Sequence, residues 1–415
     1  MLATGVTFVT NWFALQLWRR SKGAHWTEQA RVVFPVFVAA RSNIMVVPGI
    51  LVLAVLLLWP NSAQLWLFTG IVSILGAYIG TLSISHEVFP RIPFIDLVRQ
   101  AVIDFLLKSI IWLIFICAVV FMPRQFNRQA WEIAVSVVAL RVMWAQGGLV
   151  GCGRALGLFV AAPERLSTIA ADMSAKMRIP YRAIFLMRSP MAQAFALLGS
   201  RELLFTERLL GLLSDTEIAS IVAHELAHLS ESASTRYSRS ILTLVFTPWI
   251  FFNPLVHNFG MFGFLGLCML TILIPKIYRR ISLKLESRAD RFAVDIETDA
   301  GTYARALTKL YEDNLLPAVT GNEQTTHPHL YDRILAAGMT PDFPRPEAAA
   351  SISWYGRVLG GLAGLLLAIF VITNLEKWSA AVRPDRDGIS EQRQNVSIRS
   401  HLAKQPSNTL ENRIQ

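Results

Sequence analysis

The sequence predicts a mainly α-helical, multi-pass membrane protein with a polar domain set among its apolar segments. Three observations predict it. The chain of 415 residues is 53% hydrophobic and only 16% charged, whereas soluble domains carry about 25% charged residues. The apolar surplus is gathered into blocks long enough to cross a bilayer core. Two stretches, at about 151–240 and 276–350, are instead polar and carry turn and cap signals. Together these exclude a single soluble globule, a disordered chain and a fibrous protein.

The apolar blocks run at about 44–59, 65–83, 101–122, 131–150, 241–258, 260–275 and 354–373. Residues 1–18 form a weaker candidate, interrupted by Thr10 and Asn11. Arg19, Arg20 and Lys22 follow that segment instead of preceding it, so no cleavable signal peptide is expected. Asp104 and Lys108 lie one turn apart in the third block and Arg141 lies in the fourth. Paired or interior-facing charge near the membrane edge is the expectation for them. Gly356, Gly360 and Gly364 repeat every four residues in the last block, which suits close helix packing. The predicted organisation is N-terminal membrane helices over 1–150 and a polar domain over 151–350, interrupted by a membrane hairpin at about 241–275. A C-terminal membrane helix over 351–376 and a polar, mobile tail over 377–415 complete it.

The net charge of +10 crowds the ends of apolar blocks. A lipid bilayer and membrane topology account for it, and no basic run interleaved with aromatics suggests nucleic acid. Cys117 and Cys268 sit inside apolar blocks and Cys152 follows Gly151. No two have metal-ligand spacing, which argues against a disulfide framework or a cysteine zinc site.

In the polar domain, Pro163-Glu164-Arg165 opens a helical pattern reaching Met177. Short β-like runs follow at Ala183–Met187, Gln193–Leu197 and Glu202–Thr206. Ser214-Asp215-Thr216-Glu217 then reads as a capping box, an N-cap hydroxyl with a Glu three residues on. It starts a helix whose Ile218, Ile221, Val222 and Leu226 keep helical spacing.

That helix carries His224-Glu225-Leu226-Ala227-His228. At about 100° per residue the two histidines share a face, about 6 Å apart along the axis, a spacing that lets two imidazoles hold one Zn²⁺. Glu225 stands next to the first, placed to take a proton from the attacking water at the metal's open position. A pair of surface histidines is the ordinary alternative. Catalytic zinc takes three protein ligands, and Leu285-Glu286-Ser287-Arg288-Ala289-Asp290 offers the third. Glu286 could complete the metal, and Asp290, one turn on, could orient a ligand histidine. Alone, those two acids read as a solvated helix face; the upstream motif changes their meaning. Two membrane crossings in 241–275 would return Glu286 to the histidines' side.

These residues resemble the membrane-embedded zinc endopeptidases that include HtpX-type quality-control proteases and CAAX prenyl proteases. The likeness covers roughly 155–345. It implies a zinc-peptidase domain with an HExxH helix and a small β-sheet, interrupted by the membrane hairpin. It also implies one zinc per chain on His224, His228 and Glu286, Glu225 as general base, and Asp290 behind the ligands. The family's substrate-binding edge strand would be Gln193-Ala194-Phe195-Ala196, with Gln where the family usually has Asn. Thr326-His327-Pro328 followed by Arg333 resembles the segment that steadies the tetrahedral intermediate. On this reading the protein hydrolyses polypeptides in membrane protein quality control or processing. A zinc-stabilised scaffold or a transporter is the alternative, but neither needs Glu225 beside a histidine pair. The basic loop 19–43 against an uncharged loop at about 60–64 predicts a site facing the cytoplasm of a bacterial inner membrane.

Overall fold

The computed structural model describes residues 2–59, 62–105, 110–235, 247–321, 327–349 and 366. Apart from Leu366, the apolar block at 354–373 with its glycine repeat lies outside the described residues, as do the tail, Lys108 and Thr326. So does the start of the hairpin at 241–246. The described residues from Leu2 to Ala349 form one compact unit.

Within that unit, helices α1 (Leu2–Ser21), α2 (Trp26–Leu58) and α3 (Ala63–Val88) pack on one another. Asn11, which weakened the sequence signal for α1, is buried, and its side-chain amide donates to the Gly80 carbonyl at 3.0 Å. Gly80 is required there: a Cβ would stand 2.7 Å from the Thr7 Cβ. The chain continues through α4 (Phe94–Asp104), α5 (Ile110–Phe121), α6 (Arg128–Met143) and α7 (Leu149–Ala155). The predicted block 131–150 is therefore not one straight helix. It bends by 52° at Gly147, whose φ of 137° other residues rarely adopt.

The polar domain begins with β1 (Phe159–Ala161) and α8 (Glu164–Met177). Strands β2 (Ala183–Met187), β3 (Ala194–Leu197) and β4 (Glu202–Thr206) follow. The sheet order is β1-β2-β4-β3, with β2 and β4 parallel and the other pairs antiparallel. Every residue of β4 is buried, as a central strand with both faces covered should be. After α9 (Glu207–Leu212) comes α10 (Asp215–Leu229). Its capping box is formed in both directions: the Glu217 N–H donates to the Ser214 hydroxyl and the Ser214 N–H to the Glu217 carboxylate. Lys309 closes on the same carboxylate at 2.7 Å.

The next helix, α11 (Phe252–Ile296), contains a break at Gly260, where φ is 53° and ψ is −133°. The chain reverses there. The Trp249 indole N–H donates to the Thr271 hydroxyl at 2.7 Å, although a straight helix would hold residues 22 apart roughly 33 Å away from each other. Gly263 makes the reversal possible, since a Cβ there would collide with the Leu255 carbonyl oxygen. The second limb runs from the exposed apolar residues Phe262, Leu265, Met269 and Ile272 to the buried acids Glu286 and Asp290. Helices α12 (Thr302–Asp313) and α13 (Leu330–Ala336) complete the domain. Its core joins Leu166 and Ala170 of α8, Leu203 and Phe205 of β4, Ile218, Val222 and Leu226 of α10, and Tyr303 and Ala306 of α12.

Among the described residues, two helical segments are long and apolar enough to cross a membrane, at 64–88 and at 247–296, the latter containing the break at Gly260, and the bent pair 128–143 and 146–155 makes a third if it forms one span.

Candidate metallopeptidase site

The buried middle of α10 brings His224, Glu225 and His228 into the domain interior, each less than a tenth exposed. The limb of α11 beyond the hairpin lies against α10 and delivers Glu286, also buried. Three ligating atoms then converge. The two imidazole Nε2 atoms are 3.3 Å apart. The Glu286 carboxylate approaches the His224 Nε2 at 3.5 Å through Oε2 and the His228 Nε2 at 3.5 Å through Oε1. Donors placed about 2.0–2.1 Å from a tetrahedral zinc are separated by about 3.3–3.4 Å. The residues present therefore fit the ion in number, chemistry and mutual spacing, and they are the one such cluster of three among the described residues.

Each imidazole is gripped on its other nitrogen. The His228 Nδ1 lies 3.1 Å from Glu231 Oε1. The His224 Nδ1 lies 2.8 Å from the Tyr303 hydroxyl and 3.1 Å from Asp290 Oδ1. Such contacts fix the ring plane and tautomer of a metal-binding histidine. Neither Glu231 nor Tyr303 is expected from the sequence. Glu231 has a readable signal, an acid three residues after His228 on the same face. Tyr303, 79 residues from His224, has none.

Arg333 is placed differently from the expectation. It is 7% exposed, and its Nε and Nη2 donate to Asp290 at 2.9 and 2.6 Å. Nη2 also donates to the Tyr303 hydroxyl at 2.7 Å. A buried guanidinium needs a carboxylate partner, and Asp290 is that partner. Arg333 therefore stands behind His224, bonded to Asp290 and Tyr303. His327 does reach the cluster: its Nδ1 lies 2.7 Å from Glu286 Oε2, and its side chain is half exposed.

Among the described residues, the candidate substrate strand is an edge. β3 pairs with β4 on one side, and β1 closes the opposite end of the sheet. The strand starts at Ala194, one residue later than predicted, because the Gln193 N–H is taken by the Thr206 hydroxyl at 2.9 Å in place of a strand partner. Ala194 and Ala196 pack on the core while Phe195 is exposed.

Residues 161–339 match peptidase family M48. This domain belongs to the M48 family of HExxH zinc peptidases, which includes HtpX-type and CAAX protease members. No curated protein matches the chain significantly. The matched segment begins in β1 and ends after α13, so the M48 domain takes in the sheet, α10, the hairpin limbs and every residue of the site. The family is one of metallopeptidases, and the His224, His228 and Glu286 cluster is compatible with that chemistry.

The charges around His224 set how a metal would bind. Burial alone would lower its pKa. Hydrogen bonds to Asp290 and Glu286, with the charges of Glu225 and Asp290, more than offset this and raise the imidazole to about 9. In chelator-stripped protein, zinc must displace that proton below pH 9. Its apparent affinity should fall by up to about tenfold per pH unit on acidification through this group. Calorimetric titration at pH 7 in buffers of different ionisation enthalpy should show proton release on zinc uptake. Affinity that does not change between pH 7 and 9 would contradict the assignment. Stability of the stripped protein has the opposite sense. The contribution of a raised His is complete below its unfolded pKa of about 6.5 and is lost as pH rises through about 9.

Proposed function

We propose that the protein is an integral-membrane zinc metalloendopeptidase that hydrolyses peptide bonds of membrane or misfolded polypeptides, acting in membrane protein quality control or processing. The observation that carries this reading is the convergence of His224, His228 and Glu286 beside Glu225, on two helices of an M48 domain. One zinc ion held by those three side chains would supply Lewis acidity toward the scissile carbonyl and make the attacking water more acidic. The protein's own residues do the rest. Glu225, which neighbours His224 on α10 and is not one of the three ligands, takes the proton from the water and returns it to the leaving amine. The outer edge of β3, unpaired among the described residues, aligns an extended backbone by strand addition. Exposed Phe195 and the small Ala194 and Ala196 favour a substrate with room for side chains on alternate faces. Burial of the cluster lowers the local dielectric and strengthens each of these interactions.

The hairpin at Gly260 and the apolar surface of the second limb support insertion next to the site, so that substrates are taken at the bilayer surface. The basic segment 19–43, which lies in the end of α1, a short turn and the first half of α2 and is not the loop expected from the sequence, favours a multi-pass arrangement in a bacterial inner membrane, with the M48 domain in the cytoplasm. A scaffold or transporter reading leaves Glu225 without a role.

His327 is the best placed donor to the oxyanion. It is half exposed, reaches Glu286 and precedes Pro328. His327→Ala should retain most of the zinc while turnover falls by about 10²–10³, the usual loss for one oxyanion donor. Parallel loss of zinc and activity would make it a support of Glu286 instead. The reading as a whole is tested by purifying the full chain in detergent and incubating it with an unfolded protein, with and without a chelator. Cleavage that stops with chelator and returns with zinc is expected. No cleavage by zinc-loaded protein would count against it.

A further inference from the structure

We propose that Tyr303 is a positioning residue that fixes the metal-binding tautomer and ring orientation of His224. The inference rests on the zinc-site reading and goes beyond it, since it assigns a role to a residue outside the ligand and base set. Tyr303 is 1% exposed and sits in the first turn of α12. That turn is clamped from outside: the Glu297 carboxylate accepts from the Gly301 N–H at 2.7 Å and from the Tyr303 N–H at 2.9 Å. Gly301 holds a φ of 80°, and a Cβ there would meet the Met339 sulfur at 2.7 Å. The phenol ring is thus delivered to one place, stacked on the His224 imidazole at an interplanar angle of 21°.

Proton accounting at the hydroxyl then determines the histidine. A phenol has one proton to give and two lone pairs. The single proton goes to Asp290 Oδ1 at 2.6 Å, because an ionised carboxylate can only accept. Arg333 Nη2, which can only donate, takes one lone pair at 2.7 Å. The remaining lone pair faces the His224 Nδ1 at 2.8 Å, so Nδ1 must carry the hydrogen. In the neutral imidazole Nε2 is then bare, and Nε2 is the atom that faces His228 and Glu286. Asp290 alone would hold the ring less firmly, since its oxygen is farther from Nδ1, at 3.1 Å. Tyr303 therefore couples the Arg333–Asp290 ion pair to the metal ligand.

Tyr303→Phe keeps the ring, its packing and its stack, and removes the hydroxyl. Zinc affinity, read by competition with a chromophoric chelator on the folded full-length protein, should fall by about 10–100-fold, the usual effect of removing a ligand's outer partner. In the cobalt-substituted protein the visible ligand-field bands should shift, because the imidazole is no longer held in one plane. Leu307→Ala is the control. Leu307 lies one turn along α12, is buried in the same core and has no polar side-chain atom to offer the site. Its truncation should lower thermal stability without changing zinc affinity or the cobalt spectrum. Wild-type affinity and spectrum in Tyr303→Phe would overturn the inference, as would equal loss of affinity in both variants. A wild-type protein that takes up no zinc would overturn the zinc reading itself, a result distinct from either.

Discussion

Glu225→Gln should keep its zinc and lose its proteolysis. The exchange preserves size and the polar end of the side chain but removes the basic oxygen. Because Glu225 is not one of the converging ligands, the His224, His228 and Glu286 cluster stays intact and zinc content should remain at one per chain. Turnover should fall by about 10²–10⁴, the range for removal of a general base. The fall should be in kcat more than in KM, since proton transfer belongs to the transition state and not to ground-state binding. Zinc analysis alongside steady-state cleavage of an unfolded protein reads both quantities. Normal turnover in this variant would remove the base from the mechanism. Loss of zinc in step with activity would make Glu225 part of the metal site.

Glu286→Ala should do the reverse, losing most of the zinc. Its two oxygens face the two imidazoles at 3.5 Å each, so its removal leaves two protein ligands where three are usual. The loss of affinity should exceed the 10–100-fold expected for an outer partner such as Tyr303. The stripped variant also leaves His327 without the carboxylate it contacts at 2.7 Å. Full zinc retention in Glu286→Ala would mean that another group, His327 above all, completes the site.

The site is legible in the sequence in proportion to how local its signals are. The capping box, the apolar spacing and both histidines lie within or next to the 15 residues of α10, so one stretch of sequence specifies helix, face and metal geometry together. Glu286 and Asp290 are readable as a pair one turn apart, but only the earlier motif gives them meaning. Tyr303 is not readable, because its role comes from tertiary packing and a buried tyrosine in a helix reads as core. Arg333 is readable as a residue and not as a contact: the pattern around His327 cannot show that its guanidinium is spent on Asp290. In the fold, β2, β4 and α8 follow from period and punctuation, whereas β1, with three residues, is too short to show alternation. The bend at Gly147 is hidden because an apolar run looks the same straight or broken. The reversal at Gly260 follows from topology, as the requirement that Glu286 return to the histidines, and the Trp249–Thr271 contact is its local physical counterpart.

The most direct measurement is X-ray absorption at the zinc edge of the full-length protein purified in detergent. The account predicts one zinc per chain, with only nitrogen and oxygen neighbours at about 2.0–2.1 Å. It also predicts the outer-shell scattering of two imidazoles, and loss of most of the zinc in His228→Ala, which leaves two of the three protein ligands. A zinc-free protein, a sulfur neighbour at about 2.3 Å, the scattering of fewer than two imidazoles, or full zinc retention in His228→Ala would contradict it.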